Sequence, residues 1–461
     1  MSRYNSKRVM RHLIMTSILI SLQEDSSVSH RVNHQMTAFL AGIQWLGFMF
    51  ANTVVIPLSV GSAMHLSPPT IAGVMARSFI FTGIACLLQV IIGHRLPLME
   101  GQSGLWWGVI LSLASLGSAK GASMSLIGGS LATGMLIGGV LIVLIGVTGL
   151  YRLLNRLFTP MVMAVLLLLL SVQLIDIFFR GMIGADDASG HMNLGVSLLS
   201  ITLVALVGML TLVARGVIGN FSILIGITVG WILYVLLFHT SQRPVVPTWH
   251  GISEVFVWGH PALDVGIVVT TIFAALINTT NTIATLRASE SLFETSVEAR
   301  QFRKSFTLTG LFTVASGVFS VVPYAPYTSS IGFLRTTRLL ARAPFIIGAV
   351  LFTMLGFIPP LAGFFSTLPI SVGDAVLFVA YLQLFGAALQ NIEGMRFTFK
   401  SIFRIALPSL LGLAILASPS QTFSTLPPYL QPLISNGMLI GILLSILLEN
   451  TINWKRLDAQ K

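Results

Sequence analysis

Charge is scarce in this 461-residue chain, with 9% of side chains charged against 54% hydrophobic, where a soluble domain carries about a quarter charged. That shortage excludes an ordinary water-soluble globule. Cysteine is scarcer still. Cys86 stands alone within an apolar block, so no internal disulfide and no thiolate metal cluster can form, and a redox function is not expected. The sequence contains no HExxH, no paired carboxylates deep in an apolar segment, and no His or Cys at mid-depth to serve as nucleophile, base or metal ligand. The chain is therefore read as a non-enzyme, with no metal and no cofactor expected.

What is present is a series of apolar blocks near the roughly 20 residues that a helix needs to cross a ~30 Å hydrocarbon core. Fourteen spans are expected, near 37–61, 67–93, 97–115, 124–149, 159–181, 193–214, 217–238, 264–286, 304–322, 324–341, 344–363, 369–391, 402–418 and 435–451. The net charge of +11 could suggest nucleic acid, but its distribution follows membrane topology instead. Basic residues fill the N-terminal tail 1–36 and every second connection: Arg95; Arg152 and Arg156; Arg215; Arg287, Arg300, Arg303 and Lys304; Arg338 and Arg342; Arg396 and Lys400; Lys455 and Arg456. The alternate connections hold Lys120 and Arg243, with Arg180 at a span edge. The basic side is cytoplasmic by the positive-inside rule, which places both termini inside and requires an even number of spans. The tail, ending in HRVNHQ, has no short apolar core after its basic start and does not read as a signal peptide.

Polar groups at span ends are cheap, and Asp176, Asp264, Asp374, Glu393 and Glu449 all stand near such ends. Arg77 and Glu100 do not fit that description. Arg77 is about ten residues into its span, ~15 Å deep at 1.5 Å per residue. Glu100 stands in RLPLMEGQSGLWWG, between Pro97 and Gly101, where helix propensity is poor and a span should be under way.

That segment shares its grammar with VVPYAPYTSSIGFLRTTR: a proline, a short non-helical piece, then a small polar cluster that suits a helix start. Each reads as a half-helix beginning near the midplane, where irregular backbone is tolerated only when it is buried in protein or lines a polar cavity. The two are the third and tenth spans, each third in a half of seven. Their helix N-termini face each other, the arrangement of an inverted-repeat transporter with positive helix ends aimed at a midplane substrate. A third cluster, INTTNTIAT, lies in the eighth span, the counterpart of the first, which holds Gln44, Trp45, Asn52 and Thr53. Amides, hydroxyls and an indole are what a flat heterocycle needs for edge hydrogen bonds and stacking.

At these residues the chain resembles the nucleobase-ascorbate transporter family, the nucleobase-cation symporters, over nearly its whole length. The family signature of the tenth span corresponds to Ser329, Ser330, Ile331 and Gly332, then Thr337 and Arg338. The QH of the first span corresponds to Gln44 and Trp45, and the third-span pattern to Pro97, Gly101 and Ser103, followed by Leu105 and Trp106. GLWWG, FTPMVM, IFFRGMIG and SNGMLIGILL look most like the branch of enteric-bacterial chains named as purine permeases. The resemblance implies an all-α 7+7 inverted repeat in the bacterial inner membrane, a homodimer moving as an elevator, and no nucleic-acid partner. It implies a core domain (37–149 and 264–365) and a gate domain (150–240 and 366–452).

Several family residues are replaced. The base-binding Glu of the eighth span aligns with Asn278, the signature's leading acid or amide is Ser329, its Asn is Ser330, and an Asp of the ninth span is Thr309. The usual proton acceptors are thus missing. Glu100 is the substitute coupling candidate, since intramembrane carboxylates mark proton relays. Alternatively Glu100 and Arg77 form a structural pair, or Arg77 attracts an anionic purine. The expected substrate site comprises Ser329, Ser330, Gly332, Asn278, Thr282, Leu105 and the stacking candidate Trp106, with Gln44 bracing the core and Trp45 there for binding or packing. A purine (xanthine, urate, hypoxanthine or guanine) is the expected cargo, with protons as co-substrate. A uracil or ureide permease, an uncoupled facilitator, a sulfate-permease-like anion carrier and a ligand sensor are the alternatives.

Overall fold

The computed structural model describes residues 36–119, 122–151, 156–185, 191–214, 217–239, 244–427 and 429–454. The expected tail 1–36, apart from Met36, lies outside the described residues, as do Lys120, Arg152, Arg215, Arg243, Lys455 and Arg456. The chain begins with α1 (Met36–Ala63), α2 (Pro68–Ile91), α3 (Gly104–Ala119) and α4 (Met124–Thr148). It continues through α5 (Pro160–Met182), α6 (Leu194–Val213), α7 (Val217–Asn220), α8 (Ser222–Phe238) and α9 (Trp249–Ser253). The second half holds α10 (Val265–Phe293), α11 (Ala299–Phe319), α12 (Ser329–Thr337), α13 (Arg342–Gly356) and α14 (Pro359–Phe365). It closes with α15 (Ile370–Gln390), α16 (Phe399–Ala417), α17 (Gln431–Ile434) and α18 (Gly437–Thr451).

Among the described residues eight helices are long and apolar enough to cross a membrane: α1, α2, α4, α5, α6, α10, α15 and α16. The other expected spans coincide with shorter or more polar elements. The eleventh, expected as one helix over 344–363, is instead α13 and α14 meeting at 89°. Pro359 and Pro360 supply no N–H to continue α13 and restrict Ile358 before them, which sits in extended backbone.

Polar residues at span ends act as caps. The side chains of Thr159, Asn193, Asp264 and Asn436 each accept the N–H of the third residue that follows, satisfying a donor that has no intrahelical partner. Asp176 and Arg180 form an exposed pair, and Arg404 holds Glu449 through two charge-assisted bonds of 2.8 and 2.7 Å. Asp374, by contrast, is buried within α15.

The helices pair across the two halves: α4 packs on α11 and α10, α2 on α13, and α5 on α15, while α16 packs on α18 within the second half. In lipid, where burial of apolar surface gives helices no preference for one another, close backbone approach carries much of this association. Gly139 of α4 and Gly310 of α11 show how close: a Cβ on Gly139 would lie 2.8 Å from the Gly310 carbonyl oxygen, and the reverse distance is also 2.8 Å.

Candidate substrate-binding site

Between α2 and α3, and again between α11 and α12, the chain is extended. Glu100–Gln102 forms β1 and Tyr324–Pro326 forms β2, and they pair antiparallel with Gly101 opposite Ala325. Ser103 N–H donates to the Pro323 carbonyl at 2.8 Å and Tyr327 N–H to that of Met99 at 2.9 Å, lengthening the ladder at both ends. The pairing answers a specific problem. Prolines at 97, 323 and 326 forbid continuous helix, and unpaired peptide groups at this depth cost several kcal/mol each. Each strand then feeds a helix start, α3 after β1 and α12 after β2, so the two discontinuous spans expected from the sequence meet strand to strand.

Asn278 of α10 fastens this crossing. Its side-chain Oδ1 accepts from Ser103 Oγ at 2.6 Å and from Asn281 Nδ2 at 3.1 Å, and its Nδ2 donates to the Tyr324 carbonyl at 2.9 Å. One amide therefore ties α10 to both broken segments, and it is fully buried. Ser330 of α12 adds a direct tie between the two broken segments, its Oγ accepting from Met99 N–H at 3.1 Å. One turn beyond Asn278, Thr282 is buried too. Thr285 donates to the Pro326 carbonyl at 3.1 Å and shares a hydrogen bond with Thr328 at 2.8 Å.

The accessible side of the crossing is formed by other residues. Asn281 and Ser329 are half-buried, while Thr328 and Gly332 are exposed. No atom lies within 4 Å of where a Gly332 Cβ would be. Over this side lies Tyr327. Its hydroxyl donates to the carbonyls of Gln102 and, at 3.4 Å, of Asn52. Its ring lies so close to Gly101 that a Cβ there would be 2.8 Å from Cζ. Tyr381 of α15 reaches it with its own hydroxyl. Neither tyrosine nor Asn281 was among the expected site residues. Asn281 was legible in principle, lying three residues from Asn278 and hence on the same helix face, whereas the tyrosines' reach across the crossing has no local sequence signal.

The remaining expected residues are placed as follows. Leu105 and Trp106 are fully enclosed in the core, the Trp106 indole N–H without a partner. Trp45 is fully buried in an aromatic cluster with Phe48, Phe333 and Phe345 at centroid distances of 5.6, 4.6 and 4.8 Å. Gln44 is half-buried on α1. Pro97 is buried ahead of β1, and Thr337 and Arg338 end α12, Arg338 in the left-handed conformation at φ 59°.

The two deep charges lie apart. Arg77 donates to the carbonyls of Gly251 at 2.8 Å and Glu254 at 2.9 Å, capping the C-terminal end of α9. Glu100 turns toward α11, where Thr309 Oγ1 donates to its Oε1 at 3.1 Å, and its Oε2 has no partner. A Glu100–Arg77 ion pair is therefore absent, because Cys86, which bonds the backbone of Glu100, is nine residues beyond Arg77 on α2, about 13 Å along the helix.

Residues 36–421 match the Permease family (Xan_ur_permease). The chain is 27% identical over 429 residues to the Bacillus subtilis protein named "Putative purine permease YwdJ", covering 91% of this chain and 97% of that one. It is 24% identical over 422 residues to the xanthine permease of the same organism, covering 89% of this chain and 93% of the relative. In structure it is similar to the transmembrane domain of a cyanobacterial bicarbonate transporter, BicA, with a TM-score of 0.57 at 14% identity, covering 89% of this chain and 96% of that one. That likeness gives the fold alone, the 7+7 helical arrangement. With a family match spanning most of its length, the chain belongs to the Permease family, the nucleobase-ascorbate transporters that its motifs resemble.

Proposed function

We propose that this chain is a secondary transporter that carries a purine nucleobase (xanthine, urate, hypoxanthine or guanine) across the bacterial inner membrane, with both termini in the cytoplasm. The observation that carries the reading is the strand crossing: two half-helix starts held face to face by one amide, with uncharged hydrogen-bonding groups on the accessible side. A planar base entering there displaces the Tyr327 hydroxyl from the Gln102 carbonyl. It then stacks on the freed ring and meets Asn281, Ser329 and the first N–H groups of α3, which lack intrahelical partners. Asn278 positions these groups and does not itself present a free edge. An anion carrier is the weaker reading, since it rests on fold alone.

The helices α1–α4 with α10–α14 form the moving core, and α5–α8 with α15–α18 the gate that a second copy packs against. Gln173 of α5 bridges the two, donating to the Gly108 carbonyl at 3.0 Å and to Ser112 at 2.6 Å. Those bonds must break in an elevator stroke.

Proton coupling runs through Glu100. Its contact with Thr309 is informative: the position where the resemblance leads one to expect an Asp touches the carboxylate supplied by β1. In this reading the acid comes from β1 and not from α11. Uptake of labelled xanthine, hypoxanthine, urate, guanine and uracil into cells lacking their own permeases, with and without a protonophore, tests the reading. Accumulation of a purine abolished by the protonophore supports it. Entry that only equilibrates makes the chain a facilitator, and no uptake of any base removes the substrate assignment.

A further inference from the structure

Away from the crossing, the ends of α2, α11 and α13 border an open cavity of about 230 Å³ lined by Gly93, Arg95, Glu298, Arg300, Lys304 and Arg342. Four cations face one carboxylate there. Among the described residues none of the four forms an ion pair, and Glu298 is already committed to capping α11, receiving the N–H of Gln301. Topology alone asks only that basic residues lie near the membrane edge. It does not ask that four converge unpaired on one cavity, where like charges repel.

The backbone around the cavity is built to hold this arrangement. Arg95 adopts a left-handed conformation at φ 64°, unfavourable for a residue with a Cβ. It is kept there by its N–H to the Gln89 carbonyl at 3.0 Å, while Gln301 Nε2 donates to the His94 carbonyl at 2.6 Å. Burial, and then the charge of Arg342, push His94 down to about 3, so the imidazole adjoining the cavity is neutral and all the local positive charge belongs to Arg and Lys. The N-termini of α11 and α13 open into the same space through Arg300 and Arg342 and add their partial positive charge.

We infer that this cavity, cytoplasmic in the orientation proposed above, is a binding site for a phosphate-bearing anion. Three guanidinium groups, an ammonium and two helix N-termini match the several acceptor oxygens of a phosphate. An occupant would neutralise the charges that repel one another when the cavity is empty. Its source is either a soluble phosphate compound or the headgroup of an anionic lipid.

Thermal unfolding of the purified full-length protein separates these. In detergent, the unfolding midpoint is titrated with inorganic phosphate against chloride at matched ionic strength. In parallel, nanodiscs of phosphatidylcholine with and without phosphatidylglycerol are compared. Saturable stabilisation by phosphate, weakened at least tenfold in half-saturating concentration by R300Q/K304Q and retained by R300K/K304R, identifies a soluble ligand. Stabilisation by phosphatidylglycerol alone, with the same dependence on the variants, identifies a lipid headgroup. If the wild-type protein responds to neither, or R300Q/K304Q responds as strongly as wild type, the proposal is overturned.

Discussion

Replacing Asn278 by alanine removes the side chain that ties α10 to both broken spans. Three hydrogen bonds are lost, to Ser103, Asn281 and the Tyr324 carbonyl, and all three partners are left around a buried position. Interhelical hydrogen bonds in membrane proteins average about 0.6 kcal/mol with a maximum near 1.7, so the loss lies between about 2 and 5 kcal/mol if the three contribute independently. The lower figure already changes the ratio of paired to unpaired crossing by a factor of about 30. Asn278→Ala is therefore expected to lower the thermal unfolding midpoint in detergent and to abolish uptake while the protein still inserts. Asn278→Asp keeps the acceptor for Ser103 and Asn281 but loses the donor to Tyr324, and should fall between the two. Wild-type midpoint and uptake in Asn278→Ala would refute the role of the amide as the fastening of the crossing.

Other substitutions probe the surrounding geometry. Gly101→Ala places a methyl group 2.8 Å from the Tyr327 ring; it should reduce uptake at least tenfold with normal membrane levels, and unchanged transport kinetics would show that Tyr327 does not need its seat on Gly101. Glu100→Gln should leave substrate binding intact while ending protonophore-sensitive accumulation, and Thr309→Asp in the Glu100→Gln background should restore it; accumulation unaffected by Glu100→Gln would remove the carboxylate from the coupling path. Arg77→Leu strips the carbonyl end of α9 of its cap and leaves part-buried acceptors without their donor, so protein levels should drop with Arg77→Lys partly restoring them. A selective loss of urate over xanthine in Arg77→Leu, at normal protein levels, would instead favour the anion-attracting role.

Much of this architecture is readable from the chain because the physics that creates it is local. Proline at 97, 323 and 326 and the small residues after them mark the broken spans, since proline removes a backbone donor and clashes with the preceding turn. Glu100 stood out for the same reason. What could not be read depends on separation in sequence. Arg77 finds its acceptors 174 and 177 residues away, and periodicity within α2 says nothing about α9. Asn278 was expected at the substrate edge from its alignment, but its register against β1 and β2 spends its amide on the fold and leaves Asn281 facing outward. Trp45, standing where the family has His, is enclosed by Phe48, Phe333 and Phe345, two of which come from the other half of the chain. The bend between α13 and α14 was signalled by Pro359 and Pro360, yet an angle of 89° is set by packing that propensity does not encode.

The claim on which everything else depends is that a base occupies the accessible side of the strand crossing. The protein offers a clean probe, because its one cysteine, Cys86, is fully buried and should give little background labelling. The Ser329→Cys variant, reconstituted in liposomes, would be labelled with N-ethylmaleimide in the presence of increasing concentrations of the purine that cells accumulate. The account predicts that labelling slows saturably, with half-protection near the concentration that half-saturates uptake. A labelling rate unchanged at saturating purine, in a variant that still transports, would contradict it and place the substrate elsewhere.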